Sequence, residues 1–84
     1  MEYDRLKELL DLNHSWPSEY TFKFILPTAK LSEFQKVIPD PKVIMKPSAS
    51  GKYTSLTLET RCSDSNAVIS VYKKVSHIEE IIIL

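Results

Sequence analysis

The 84-residue chain has one cysteine, Cys62, so it can form no internal disulfide and no multi-cysteine zinc or redox motif. It has one glycine, Gly51, so only one position is freely available to positive φ. It has no net charge, with 11 Lys+Arg against 11 Asp+Glu, and this argues against a dedicated nucleic-acid binder, which carries a basic excess. No apolar run approaches the roughly 18–20 residues of a membrane span, and the opening MEYDRLKELL is too charged for a signal peptide. These absences lead us to expect a soluble, cytoplasmic domain with no membrane partner and no cofactor. At this length a single domain over residues 1–84 is expected, with a small core.

What is present is strongly patterned. Tyr3, Leu6, Leu9 and Leu10 fall on one side of a helix over 2–12, and Pro17 ends the connection that follows, so 1–18 is read as an N-terminal helix and linker. Tyr20, Phe22, Phe24 and Leu26 alternate with Thr21, Lys23 and Ile25, which predicts a strand over 20–26. Thr28 is the expected N-cap of a helix over 28–38 carrying Leu31, Phe34, Val37 and Ile38, stopped by Pro39 and Pro41. A short strand is expected over 42–46. Ser48–Lys52 reads as a turn with Gly51 at positive φ, and Tyr53–Cys62 as a long strand with Leu56, Leu58, Thr60 and Cys62 on one face. Ser63, Asp64, Ser65 and Asn66 are all N-cap types before a helix over 64–76, and a last strand is expected over 79–84.

Without the leading helix the order is βαββαβ, an α+β ferredoxin-like arrangement. It has a four-stranded antiparallel sheet of order 4-1-3-2 and both helices on one face. Phe22, Phe24, Leu56 and Leu58 belong to the buried face, while Lys23, Glu59 and Arg61 share the other with Ile25. The last strand is an edge with apolar residues on both faces. Its expected cover is the N-terminal helix, through Leu6, Leu9 and Leu10, or a second copy of the chain in a homodimer.

This fold serves many functions, so residues must discriminate among them. An RNA-recognition motif stacks bases on open-face aromatics, and here only Tyr53 is aromatic. A metal chaperone needs two thiols. An acylphosphatase-like cradle needs an Arg and a Gly-rich turn after the first strand, where Pro27-Thr28-Ala29 offers neither. No Ser-His-Asp or Cys-His arrangement can be argued from His14 and His77. Trp16 and Cys62 read as parts of the core, and Lys73-Lys74 and Glu79-Glu80 as solvated charges.

The best candidate site is the segment Lys46–Ser55. Between positions 42 and 52 there is no acid, whereas Lys42, Lys46 and Lys52 are cationic. Ser48, Ser50 and Ser55 add hydroxyls, Tyr53 an aromatic ring, and Gly51 lets backbone N–H groups turn towards an anion. The same Pro, Ser and Gly residues serve equally well as hairpin-turn geometry.

Trp16-Pro17-Ser18-Glu19-Tyr20-Thr21-Phe22-Lys23 and, more specifically, Lys46-Pro47-Ser48-Ala49-Ser50-Gly51-Lys52-Tyr53-Thr54-Ser55 resemble the YbeD-like family of small bacterial proteins of unassigned function. The resemblance runs through essentially the whole chain, with a shorter middle region over 28–42. It implies a ferredoxin-like fold similar to ACT-type regulatory domains, which sense small molecules, and it implies no known activity. The resulting expectation is a non-catalytic regulatory or interaction module that senses a small anionic metabolite or binds a partner protein. The alternative is a small enzyme acting on an anionic substrate at the 46–55 hairpin.

Overall fold

The computed structural model of the chain describes residues 2–84. Its elements are α1 (Tyr3–Asn13), β1 (Ser18–Pro27), a 3₁₀ turn (Thr28–Lys30), α2 (Leu31–Val37), β2 (Ile44–Pro47), β3 (Tyr53–Cys62), α3 (Ser65–Val75) and β4 (Ile82–Ile83). The strands form one sheet in the order β2-β3-β1-β4, with every pair antiparallel. This is the expected 4-1-3-2 order, compatible with a ferredoxin-like fold.

Period-two alternation produces this sheet because a strand's successive side chains point to opposite faces. β1 and β3 pair over their full lengths, from Ser18↔Cys62 to Pro27↔Tyr53. That register brings Phe22 opposite Leu58 and Phe24 opposite Leu56 on the helix-covered face, where all four are buried with Leu26 and Cys62. Phe34 from α2 and Val68, Ile69, Tyr72 and Val75 from α3 close over them. Fully burying each such side chain contributes about 1.5–3 kcal/mol. Phe24 meets Phe34 at a centroid distance of 5.7 Å, and the Tyr72 ring stands edge-on to Phe22 at 5.5 Å. The Tyr72 hydroxyl is satisfied by that of Tyr20 at 2.8 Å, which lets a phenol lie in the core. Asp64 caps α3 by accepting the Ala67 N–H at 2.9 Å, one of the four capping-type residues read there.

Three expectations are corrected. Thr28 caps no helix. Its hydroxyl pairs with that of buried Thr54 at 2.8 Å and its N–H donates to the Lys52 carbonyl at 2.9 Å, so it ties the end of β1 to the hairpin. α2 consequently begins at Leu31 without a side-chain cap. The last strand is Ile82–Ile83 rather than 79–84. Ile78 plugs the core, its N–H bonded to the Val75 carbonyl, and the chain turns through Glu80 at φ 64° before it reaches β1. Finally, α1 does not cover β4. It packs against α3, where the Lys7 ammonium donates to Ser65 at 3.0 Å and the Lys73 ammonium lies 5.1 Å from the centre of the Tyr3 ring. Trp16 does cover a margin of the core. It is half-buried, stacks on His14 at 5.1 Å, and its indole N–H donates to Asp11 at 2.9 Å.

Candidate functional site

The uncovered face of the sheet follows from the same registers. Ile25 pairs with Ser55 on one side and with Ile82 on the other, and Ser55 pairs with Lys46. Lys46, Ser55, Ile25 and Ile82 therefore form one row across all four strands. Beside it runs a row of Ile44, Thr57 and Lys23, whose carbonyl accepts the Leu84 N–H at 2.9 Å. On the other side Tyr53 pairs with Pro27 and takes the Ser48 N–H on its carbonyl at 2.8 Å. Ile44, Tyr53, Ile82 and Leu84 are exposed, at 68%, 46%, 51% and 68%. Thr57 and Lys23 separate Ile44 from Leu84, whereas Ile82 adjoins Ile25 in the central row.

The central row and the hairpin enclose an open hollow of about 520 Å³. Its floor and walls are Ile25, Ile82, Pro47 and Tyr53, and its polar margin is Lys46, Ser48 and Ser55. Of the residues expected at the site, the structure thus gathers Lys46, Ser48, Tyr53 and Ser55 around one space. Ser50, Gly51 and Lys52 lie in the exposed turn beyond it and do not line it. Lys42 lies elsewhere, with Lys74 and Val71 at the helix layer.

The turn has its own hydrogen-bond economy. Gly51 takes φ 77°, and its N–H donates to the Ser48 carbonyl at 2.9 Å. The Lys52 N–H donates to the Ser50 hydroxyl at 3.4 Å, and the Tyr53 N–H to the Ser48 hydroxyl at 3.3 Å. The Ser55 hydroxyl donates to the Lys46 carbonyl at 3.2 Å. These N–H groups serve the turn, so the strong donors facing solvent at this end are the ammonium groups. Ion pairs among the described residues are Lys7–Asp11 and Lys30–Glu33, and neither Lys46 nor Lys52 has a carboxylate partner. Glu59, on the same face of β3, lies four residues from Ser55, about 13 Å along the strand.

Ile25 and Ile82 join the site only through the fold. Alternation in β1 had already placed Ile25 on the outward face. Nothing local could place Ile82 beside it, because that contact depends on the register between β1 and β4.

Chemically, the hollow offers one cation at the edge of an apolar surface and no acid–base pair. Cys62 lies on the opposite, buried face, and burial, followed by the nearby charges of Glu19 and Asp64, pushes its thiol above the ordinary value. That is the environment of an inert thiol. Among the described residues no group of three or more His, Cys, Asp or Glu is placed to hold a metal ion, and no helix is long and apolar enough to cross a membrane.

Fold and face together define a class: a small α+β domain with an antiparallel sheet covered by helices on one side and open on the other. Within that class, residues 12–84 match the family model described as "Protein of unknown function (DUF493)". The chain belongs to this family. No match to it was found among curated proteins or solved structures.

Proposed function

We propose that the chain is a non-catalytic binding module that works through the open sheet face. Its ligand is a small amphipathic anion, with the acidic group on Lys46 and the apolar body on Ile25, Tyr53 and Ile82. The observation that carries this reading is the hollow itself, with apolar side chains from β1, β3 and β4 and, at its margin, a single ammonium without a carboxylate partner among the described residues. Its volume lies in the range of small-molecule sites, about 300–1,000 Å³. The sequence resemblance to YbeD-like proteins and the likeness of their fold to ACT-type regulatory domains support a sensing role in a bacterial cytoplasm. The absence of an activated nucleophile near the hollow favours binding over turnover.

A thermal-shift screen of small carboxylic acids and phosphate esters tests the reading. A ligand at 100 times its Kd raises stability by about 2.7 kcal/mol. A hit should raise the melting temperature of the wild-type chain, lose that effect in the Lys46→Ala/Lys52→Ala variant, and emerge chemically unchanged. A hit consumed during incubation would favour the enzyme, and a hit indifferent to the double substitution would remove the hairpin from the account.

A further inference from the structure

The sheet ends in two edges, β2 and β4, that are built differently. In an antiparallel pair every second residue directs its N–H and C=O at the neighbouring strand, and the residues between direct theirs away. The Ser48 N–H, bonded to the Tyr53 carbonyl, fixes that alternation at β2, so Ile44 and Lys46 bond β3 while Met45 and Pro47 face outward. Pro47 has no N–H to offer there and Lys46 flanks it, and proline and lysine are two common means of closing an edge. In β4 the Leu84 N–H, bonded to the Lys23 carbonyl, sets the alternation, so Ile82 bonds β1 while the N–H and C=O of Ile83 face outward. Residues 81–84 include no proline and no charged side chain. α1, the expected cover of this edge, packs on α3 instead.

The outward groups of β4 are complementary to themselves. Two copies of β4, antiparallel about a twofold axis at Ile83, exchange hydrogen bonds from each Ile83 N–H to the other Ile83 carbonyl. That register sets Ile82 of each copy opposite the partner's Leu84 on the open face, where the two residues are 51% and 68% exposed in the single chain. The same operation at β2 would set Lys46 opposite the partner's Ile44 and leave Pro47 without a donor. The chain has no net charge, so two copies meet without long-range repulsion. The edge over residues 81–84 is about 13 Å long. Such a contact stays below the roughly 800 Å² per partner of a stable interface, which makes the association weak and reversible.

We infer that the β4 edge is a self-association surface, taken by the β4 edge of a second copy of this chain, so that the two sheets become one continuous antiparallel sheet. The row of Lys46, Ser55, Ile25 and Ile82 then runs on into the partner's Leu84 and the partner's Lys23. Each hollow gains an apolar side chain from the partner's Leu84 and a second ammonium from the partner's Lys23, two strands or about 10 Å beyond Ile82. That completion of the hollow rests on the binding function proposed above; the pairing of the edges does not.

The experiment is sedimentation velocity of the intact chain at concentrations up to about 1 mM, with amide hydrogen exchange measured at both ends of the range. The wild type should pass from monomer towards dimer, and the outward Ile83 amide should become protected only at the high concentration. Leu84→Lys should shift the association to concentrations at least about tenfold higher. Ile44→Lys, which alters an equally exposed residue at the other edge, should leave it unchanged. Ile83→Pro removes the outward N–H without removing a bond to β1, and should weaken association in a chain whose spectrum is otherwise native. A monomer at every concentration, association indifferent to Leu84→Lys, association lost in Ile44→Lys, or an Ile83 amide with the same protection throughout would each overturn the edge pairing. The shared hollow is tested separately with 3-phenylpropionate, a carboxylate on an apolar ring. Lys23→Ala should leave association intact and weaken the acid in the dimer but not in the dilute monomer. Equal binding of the acid by the wild-type and Lys23→Ala dimers would remove the shared hollow and leave the edge pairing standing.

Discussion

The two faces of this sheet are built from the same strands and meet opposite surroundings. On the covered face Phe22, Phe24, Leu56 and Leu58 are at most 3% exposed and pack against α2 and α3. On the open face, one residue along each strand, Ile25, Tyr53 and Ile82 are apolar with only a hollow above them. A domain of this size has little core to spare. Leaving large apolar groups in water contributes nothing comparable to stability, so the covered face accounts for folding, and the proposed binding draws on the open one.

The sharpest way to break that contrast is to compare substitutions one residue apart. Phe24→Ala removes a fully buried ring and should destabilise the chain by about 3–5 kcal/mol in a denaturant titration. That is a large part of the stability of a small domain. A loss below about 1 kcal/mol would mean that the covered face is not the core.

Tyr72→Phe comes next. It leaves the Tyr20 hydroxyl without its buried partner, at a cost of about 1–2 kcal/mol. It also changes the response to alkali. Burial, reinforced by the hydrogen bond with Tyr20, pushes the Tyr72 hydroxyl above its ordinary value of 10.0. The unfolded chain then ionises first, so the contribution of Tyr72 is whole below pH 10 and is lost as the pH rises towards the folded-state value. Stability measured above pH 10 should fall more steeply in the wild type than in Tyr72→Phe.

Two backbone tests have effects of similar size and opposite sign. Asp64→Ala deletes the only side-chain N-cap of a helix among the described residues and should cost about 1 kcal/mol by thermal denaturation. Glu80→Gly relieves a non-glycine residue at φ 64° and should raise stability by about 1 kcal/mol or less. The smallest effect is expected on the open face. Lys46→Ala and Ile82→Ser should each change stability by no more than about 0.5 kcal/mol while removing ligand binding.

Much of this architecture is legible in the sequence, and the exceptions have physical causes. Tyr53–Cys62 was readable to the residue because its polar and apolar side chains alternate and a glycine turn precedes it. The four strands, their order and the buried face follow from similar signals. The last strand is shorter than its sequence suggests because Ile81–Leu84 is an unbroken apolar run without a period to mark its ends. The turn before it uses Glu80 at positive φ, where a sequence reading expects glycine. Thr28 looked like a cap because its partner, Thr54, is 26 residues away. At the site, the local residues Lys46, Ser48, Tyr53 and Ser55 could be found together, since a hairpin brings sequence neighbours into contact. Ile82 could not, because β4 reaches β1 only through the whole fold. The placement of α1 is likewise a tertiary fact, since its apolar side fits α3 as readily as a strand edge.

Binding at the open face is decided by an amide NMR titration with 3-phenylpropionate, which carries one carboxylate and one apolar ring, against its uncharged alcohol. The acid should give saturable shifts at Ile25, Lys46, Tyr53, Ser55 and Ile82, the alcohol should bind more weakly, and Lys46→Ala should abolish the carboxylate's advantage. Equal binding of acid and alcohol, or acid-induced shifts that leave the row from Lys46 to Ile82 unmoved, would contradict it.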